Sequence, residues 1–191
     1  MFSSAAAPQG PELDDLTLAR AQRGDGAAFG QLVQHHETLV WSYLWRMLGP
    51  AASRPLVEDL FQETFLGVFR ALPRFSAQGP ARLSTWILAI ATRVGLYRRR
   101  GLRRESPGQP SADPGDGGAQ ARGIEEQAMV PALVRALAEL SPEHRAIFVL
   151  RAFHELDYEE IARALEIEVG TVRSRLHRAR ETLRRALEEK P

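Results

Sequence analysis

The chain has 191 residues, 44% of them apolar, and carries a formal net charge of +1. That is enough apolar material to bury a core in one medium domain or two small ones, which excludes a disordered chain, while the near-neutral sum selects no polyanionic partner. With no cysteine, disulfide frameworks, thiolate zinc sites and cysteine nucleophiles are excluded as well.

In chain order, residues 1–10 are small and polar and include Pro8 and Gly10, the composition of a disordered leader. Asp25 can then cap a long helix on which Phe29, Leu32, Val33, His36, Val40, Tyr43, Leu44 and Met47 recur at helical spacing, up to a stop at Gly49-Pro50. A second helix is expected from about Pro55 to Leu72. A third starts near Ser84, buries Trp86, Ile87, Ile90, Ala91 and Val94, and runs out into Arg98, Arg99 and Arg100. Three or four such helices make a bundle.

Between Glu105 and Gly123 eight of nineteen residues are Gly or Pro and none is aromatic, a composition that fits only a flexible linker. Beyond it, Pro131 opens a helix through Leu140. Ser141 and Pro142 cap and begin the next, whose buried stripe is Ala146, Ile147, Leu150 and Phe153. Asp157 and Glu160 are spaced as a capping box ahead of Ile161, Ala162 and Leu165. Only Glu166 to Glu168 separate that helix from one beginning near Val169-Gly170, and two helices joined by so short a turn form a helix-turn-helix. The expected fold class is therefore all-α: two small helical domains over 11–103 and 127–191, joined by a flexible linker over 104–126.

On the last helix Val172, Leu176, Ala179, Leu183 and Leu187 line one apolar face. At about 100° per residue Arg173, Ser174, His177, Arg178, Glu181, Arg184 and Arg185 fall on the opposite arc. Such a density of cations suits a polyanionic groove, where early residues of a recognition helix reach base edges. Arg175 and Arg180 flank the apolar stripe and are placed to hold phosphates. Of the 25 basic residues all but Lys190 are arginine, which a GC-rich coding bias explains without any demand for guanidinium at each site.

Two strings carry a family resemblance. Tyr158-Glu159-Glu160-Ile161-Ala162, followed by Gly170 through Arg180, resembles the fourth conserved region of the extracytoplasmic-function (ECF) sigma factors of the sigma-70 family. The resemblance implies that Thr171, Arg173, Ser174, Arg175, His177 and Arg178 read or grip the minus-thirty-five promoter element. Glu58-Asp59-Leu60-Phe61-Gln62-Glu63-Thr64-Phe65-Leu66 looks like the family's second region, which grips the clamp of the largest polymerase subunit. Helical geometry agrees with that role. Asp59, Gln62, Glu63, Leu66 and Arg70 share an arc of about 90°, while Leu60, Phe61, Thr64, Phe65 and Val68 point elsewhere. Arg23-Gly24-Asp25 with Ala28-Phe29 also resembles the family's opening.

Arg74 to Arg104 combines Phe75 and Trp86 with Arg93, Arg98, Arg99, Arg100, Arg103 and Arg104 and contains no acid. Cations track phosphates and aromatic rings replace lost base stacking, so promoter melting is expected of Phe75, Trp86, Arg93, Arg98 and Arg99. Thr85-Trp86-Ile87 and Ile90-Ala91 resemble the family's minus-ten helix. Arg93 stands where the family often has Asn, and Tyr97 where it often has a polar or acidic residue, so base preference is not carried over. Trp86 shares a face with Ile90, which favours a core tryptophan over a DNA contact.

The partners implied are core RNA polymerase, through the clamp and the flap of the second-largest subunit, promoter DNA and an anti-sigma protein. A helix-turn-helix alone would also suit a stand-alone operator-binding regulator, which leaves the acidic face unexplained. No enzyme is expected: Ser42, Ser53, Ser76, Ser84 and Ser174 have no His or Lys pairing that would activate a nucleophile. His35 and His36 are sequence neighbours, diverge by about 100° on a helix, and cannot together chelate one metal. No phosphate-cradling Gly-rich loop follows a strand, and neither metal nor cofactor is expected. The longest purely apolar stretch, Trp86 to Ala91, is far short of the ~20 residues that cross a bilayer, and no export pattern opens the chain. A cytoplasmic protein without membrane insertion follows.

Overall fold

The computed structural model describes residues 13–49, 52–105 and 135–188, the side chains of 99–105 excepted. Among these residues the secondary structure is helical throughout, and seven longer helices follow one another. The helix from Leu83 runs through Glu105, over the first two residues of the expected linker; the leader, the rest of the linker and the start of the helix expected at Pro131 lie outside the described residues, which resume with a short helical stretch at 135–139.

The first half is built from local signals that the side chains supply themselves. α1 (Asp15–Gln22) starts at Asp14, whose carboxylate accepts from the Thr17 amide. α2 (Gly26–Leu48) starts at Asp25, which accepts from the Ala27 and Ala28 amides and is held from behind by Arg20 at 2.7 Å. The same bonds to Ala28 and Arg20 keep the Asp25 carboxyl below the usual carboxylate range. α3 (Arg54–Ala71) is capped by Ser53 and ends in a 3₁₀ turn, Leu72–Arg74. α4 (Leu83–Glu105) crosses α2 and α3 closely, and Gly95 makes that possible: a Cβ there would run into the Met47 thioether methyl. The pattern of apolar residues marks α2 to α4 clearly. α1, with little beyond Leu16, Leu18 and Ala21, was not expected, and Leu16 stays 68% exposed.

The second half follows the same logic. α5 (Pro142–Phe153) begins with Pro142 after Ser141, whose hydroxyl accepts from the His144 amide. α6 (Tyr158–Leu165) carries the expected capping box in full. Asp157 accepts from the Glu160 amide at 2.6 Å, and Glu160 accepts from the Asp157 amide at 2.7 Å. Such a cap contributes about 1 kcal/mol. Glu166 then turns the chain in the left-handed region, φ +55°, its amide bonding back to Ala162 and Arg163. A side chain there costs about 1 to 2 kcal/mol relative to glycine, and three residues later α7 (Val169–Glu188) begins. Val172, Leu176, Ala179 and Leu183 are buried as the periodicity predicts; Leu187, at the end of the stripe, is 46% exposed.

The two halves do not sit apart. α2 packs on α5, and α4 on α6 and α5, so that one continuous apolar core runs from Leu18 to Leu176. A second, smaller cluster of Ala136, Leu137, Leu140, Ala179 and Leu183 belongs to the second half alone.

Candidate nucleic-acid and polymerase interfaces

α3 presents two chemically distinct sides. Val57, Leu60, Thr64, Phe65 and Val68 are buried, and the Thr64 hydroxyl is satisfied by donating to the Leu60 carbonyl at 2.7 Å. Asp59, Gln62, Glu63 and Leu66 are all exposed on the outward side, as their spacing predicts, with Leu66 at 54%. Beside them lies a feature that sequence reasoning missed. Phe29, Phe61, Phe65 and Phe69 line a shallow apolar groove with Gln62 and Leu66, and Phe29 meets Phe69 edge to face at 5.0 Å. Phe69 is 45% exposed. Its position three residues after Leu66 was the available signal; Phe29 could not be placed from sequence because it comes from α2.

The basic helix α7 is the counterpart. Arg173, Ser174, His177 and Arg178 are exposed, Thr171 and Arg175 are half-buried, and Arg180 is exposed. Ser174 donates its hydroxyl to the Thr171 carbonyl at 3.0 Å, and His177 lies 3.7 Å from Glu181. His144, on α5, was not singled out from sequence. Partial burial, then the neighbouring Arg175 and Arg178, hold its imidazole below the usual histidine value, which marks α5 as part of the same positive surface.

The aromatic and basic residues between Arg74 and Arg104 are placed by α1, the loop bearing Phe75 and α4. The Gln22 amide nitrogen donates to the carbonyls of Phe75 at 2.7 Å and Leu72 at 3.2 Å, so the otherwise unassigned α1 fixes the loop bearing Phe75. The rings of Phe75 and Trp86 lie 4.9 Å apart, both half-buried. Trp86 is thus partly a core residue, as its shared face with Ile90 suggests. Arg93 and Arg98 are exposed, but each has an acid beside it: Arg93 meets Glu166 of the second half at 2.7 Å, and Arg98 meets Glu63 at 3.7 Å. Arg99 falls on the distal part of α4, and its side chain is outside the described set. Tyr97, noted only as a departure from a family pattern, is 81% exposed. An open phenol ring beside Arg93 and Arg98 is a platform on which an unpaired base can stack.

Beneath this surface α2 and α4 are tied together. Tyr43 and Thr92 share a hydrogen bond of 2.5 Å, Thr92 donates onward to the Leu88 carbonyl, and burial pushes the Tyr43 phenol well above its ordinary value. Among the described residues no group of three or more His, Asp or Glu side chains is arranged to hold a metal ion, and no helix is long and apolar enough to cross a membrane.

Comparison with known proteins gives concordant results. The model of sigma-70 region 2 matches residues 32–105, and that of sigma-70 region 4 matches residues 131–183. The chain is similar to the ECF RNA polymerase sigma factor SigE of Mycolicibacterium smegmatis, 35% identical over 184 residues that span 93% of this chain and 67% of the relative. It is similar to the ECF RNA polymerase sigma factor SigC of Mycobacterium tuberculosis, 33% identical over 183 residues that span 94% of each. Among solved structures it is similar to CnrH in complex with the cytosolic domain of CnrY, with a TM-score of 0.62 and 26% identity, covering 92% of this chain and 97% of that one.

Proposed function

The chain belongs to the ECF sigma factors of the sigma-70 family, and from that membership we propose that it docks on core RNA polymerase and directs promoter-specific initiation in the cytoplasm. It acts as a binding subunit without catalysis of its own. Its two domains are 11–103 and 127–191, joined by a linker over 104–126.

The observation that carries this reading is the opposition of two exposed helix faces. α3 offers Asp59, Gln62 and Glu63 with Leu66 and the aromatic groove of Phe29, Phe61 and Phe69, a surface suited to a basic and partly apolar protein helix. α7 offers Arg173, Ser174, Arg175, His177 and Arg178, with Thr171 at its start, a surface suited to DNA. We assign the first to the clamp of the largest polymerase subunit and the second to the minus-thirty-five element. Phe75, Trp86, Arg93, Arg98 and Arg99, joined by Tyr97, serve the melted minus-ten element, and the flap of the second-largest subunit holds the second domain. An anti-sigma protein covers these surfaces when the factor is idle.

Because both domains ride on one polymerase, two weak promoter contacts act together through effective concentration. Run-off transcription with bacterial core polymerase on fragmented source DNA tests the assignment. Defined starts that appear only with this protein and share two upstream motifs at fixed spacing support it. Unchanged starts, together with protection of a DNA site by the protein alone, would establish a stand-alone regulator instead.

A further inference from the structure

One residue of the first domain is placed to act on promoter opening without touching DNA. Gln22 is the last residue of α1, half-buried, immediately before the Arg23-Gly24-Asp25 string. A side-chain amide nitrogen carries two hydrogens. That of Gln22 donates to two backbone carbonyls far along the chain, Phe75 at 2.7 Å and Leu72 at 3.2 Å, 53 and 50 residues away. These carbonyls bracket the 3₁₀ turn Leu72–Arg74, which is itself closed by the Phe75 amide donating to Leu72 at 3.0 Å. Gln22 therefore grips the turn from outside, at both of its ends.

What it grips is the root of a loop with little packing of its own. At Phe75 the chain leaves the turn in an extended conformation, φ −71° and ψ 132°, and Ser76, Ala77, Gln78 and Pro80 are exposed. Small, exposed residues bury little apolar surface, so side-chain packing contributes little order to set against the backbone entropy of this stretch. The Gly79 amide bonds back to the Ser76 carbonyl at 3.0 Å, which shapes the tip without tying it to a helix. The platform under Gln22 is better fixed. Leu18 and Ala21 are buried against the core, Asp14 caps the start of α1, and Arg20 reaches across the turn to Asp25 with two nitrogens at 2.9 and 2.7 Å. Held from that platform, the Phe75 ring lies 4.9 Å from Trp86 at a tilt of 41°.

We propose that Gln22 is a positioning residue for promoter opening: its two hydrogen bonds hold Phe75 and the loop behind it in the arrangement that receives unpaired bases. The proposal rests on the promoter reading above and names a residue that acts within it through another. Ordering entropy is met when the chain folds instead of when the DNA melts, and a binding loop that arrives ordered captures its ligand at lower cost. The effect falls on one step. Asp59, Gln62 and Glu63 lie on α3 and the DNA-facing arginines on α7, whereas α1 packs on α2 and on the 3₁₀ turn. Loss of the clasp leaves both docking faces in place and loosens only the aromatic site between them.

Gln22→Met keeps the length of the side chain and removes both donors, and Gln22→Lys brings donors back at similar reach. Each full-length variant, on core polymerase, is given a promoter mapped by the run-off experiment, with 2-aminopurine in its minus-ten segment to report unstacking. A melt alongside shows each variant folded at the assay temperature. Gln22→Met is expected to slow the rise in fluorescence about tenfold, the effect of losing two neutral hydrogen bonds. Affinity for core polymerase and for the still-paired promoter is expected to stay close to wild type, and Gln22→Lys to recover most of the rate. If the Met side chain unfolds α1, Gln22→Asn takes its place with the same expectation, being polar but one methylene short of spanning both carbonyls. A merely structural role would lower polymerase affinity, closed binding and opening together, and that result overturns the proposal. A folded Gln22→Lys as slow as Gln22→Met does so too. Opening at the wild-type rate in Gln22→Met refutes the clasp alone, whereas a wild-type chain that opens no promoter refutes the sigma reading and the clasp with it.

Discussion

α3 and α7 are built alike and charged oppositely. Each is an amphipathic helix with a buried apolar stripe, Val57, Leu60, Phe65 and Val68 on one and Val172, Leu176, Ala179 and Leu183 on the other. Each leaves its outward arc free for recognition. On α3 that arc is carboxylate and amide beside an aromatic groove; on α7 arginines predominate. The net charge of +1 is an average over the whole chain and describes neither helix. Charge segregation, not total charge, selects the partners, since the local field falls off within a Debye length of about 8 Å at physiological salt.

The hardest test of this comparison is to give α3 the sign of α7. Asp59→Lys with Glu63→Lys should lower affinity for core polymerase at least about a hundredfold, a hot-spot-sized loss of about 3 kcal/mol or more. Because both positions are exposed, the unfolding midpoint should stay close to wild type; titration of labelled protein against core polymerase, with a melt alongside, reads both. Unchanged polymerase affinity would sink the assignment of α3.

The seam between the two regions gives the next effect. His154, at the end of α5, is held near a pKa of about 4 by burial and then by the nearby Arg46, and both of its ring nitrogens are buried without a hydrogen-bond partner among the described residues. Its cavity also has Asp15, His35, His36, Glu155 and Glu160 in its lining. Unfolded, the imidazole takes a proton near its ordinary 6.5, so unfolding binds a proton between those values. The contribution is full above pH about 6.5 and is lost as pH falls toward 4. Denaturant unfolding at pH 7.5, 5.5 and 4.5 should show a drop on the order of 1 to 3 kcal/mol. Most of that difference should disappear in His154→Phe; an equal drop in the variant assigns it to the carboxylates instead.

Arg173→Ala should cost about 1 to 3 kcal/mol of discrimination at one base position if it bonds guanine in two places. Uniform weakening across promoters, with a smaller salt slope, would class it as a phosphate contact; competition binding at several salt concentrations separates the two. The smallest effect is expected in the groove. Phe69→Ala should weaken polymerase binding by about 1 to 2 kcal/mol without changing promoter preference, and a full-strength variant would show that the docking face ends at Leu66.

Much of the site was legible because its causes are local. The spacing of Asp157 and Glu160 announces a capping box, and the box is present. The outward arcs of α3 and α7 follow from helical period alone, and the exposures of Asp59, Gln62, Glu63, Arg173 and Arg178 agree with it. α1 was missed because an eight-residue helix of low apolar content leaves too weak a period to see. The groove at Phe69 was missed because Phe29, which closes it against the Phe69 ring, comes from another helix.

The sequence by itself determined the helices, their caps and which face of each turns outward, because period and capping act over three or four residues. Only the tertiary structure decided the partners of the charges. Local spacing reads Arg145 as one more arginine beside the stripe of Ala146, Ile147 and Leu150, yet it is buried on the carbonyls of Met47 and Leu48. Arg93 and Glu166, 73 residues apart, meet for the same reason. A helix's own period reports its burial against some neighbour; which neighbour is settled by the packing of whole helices.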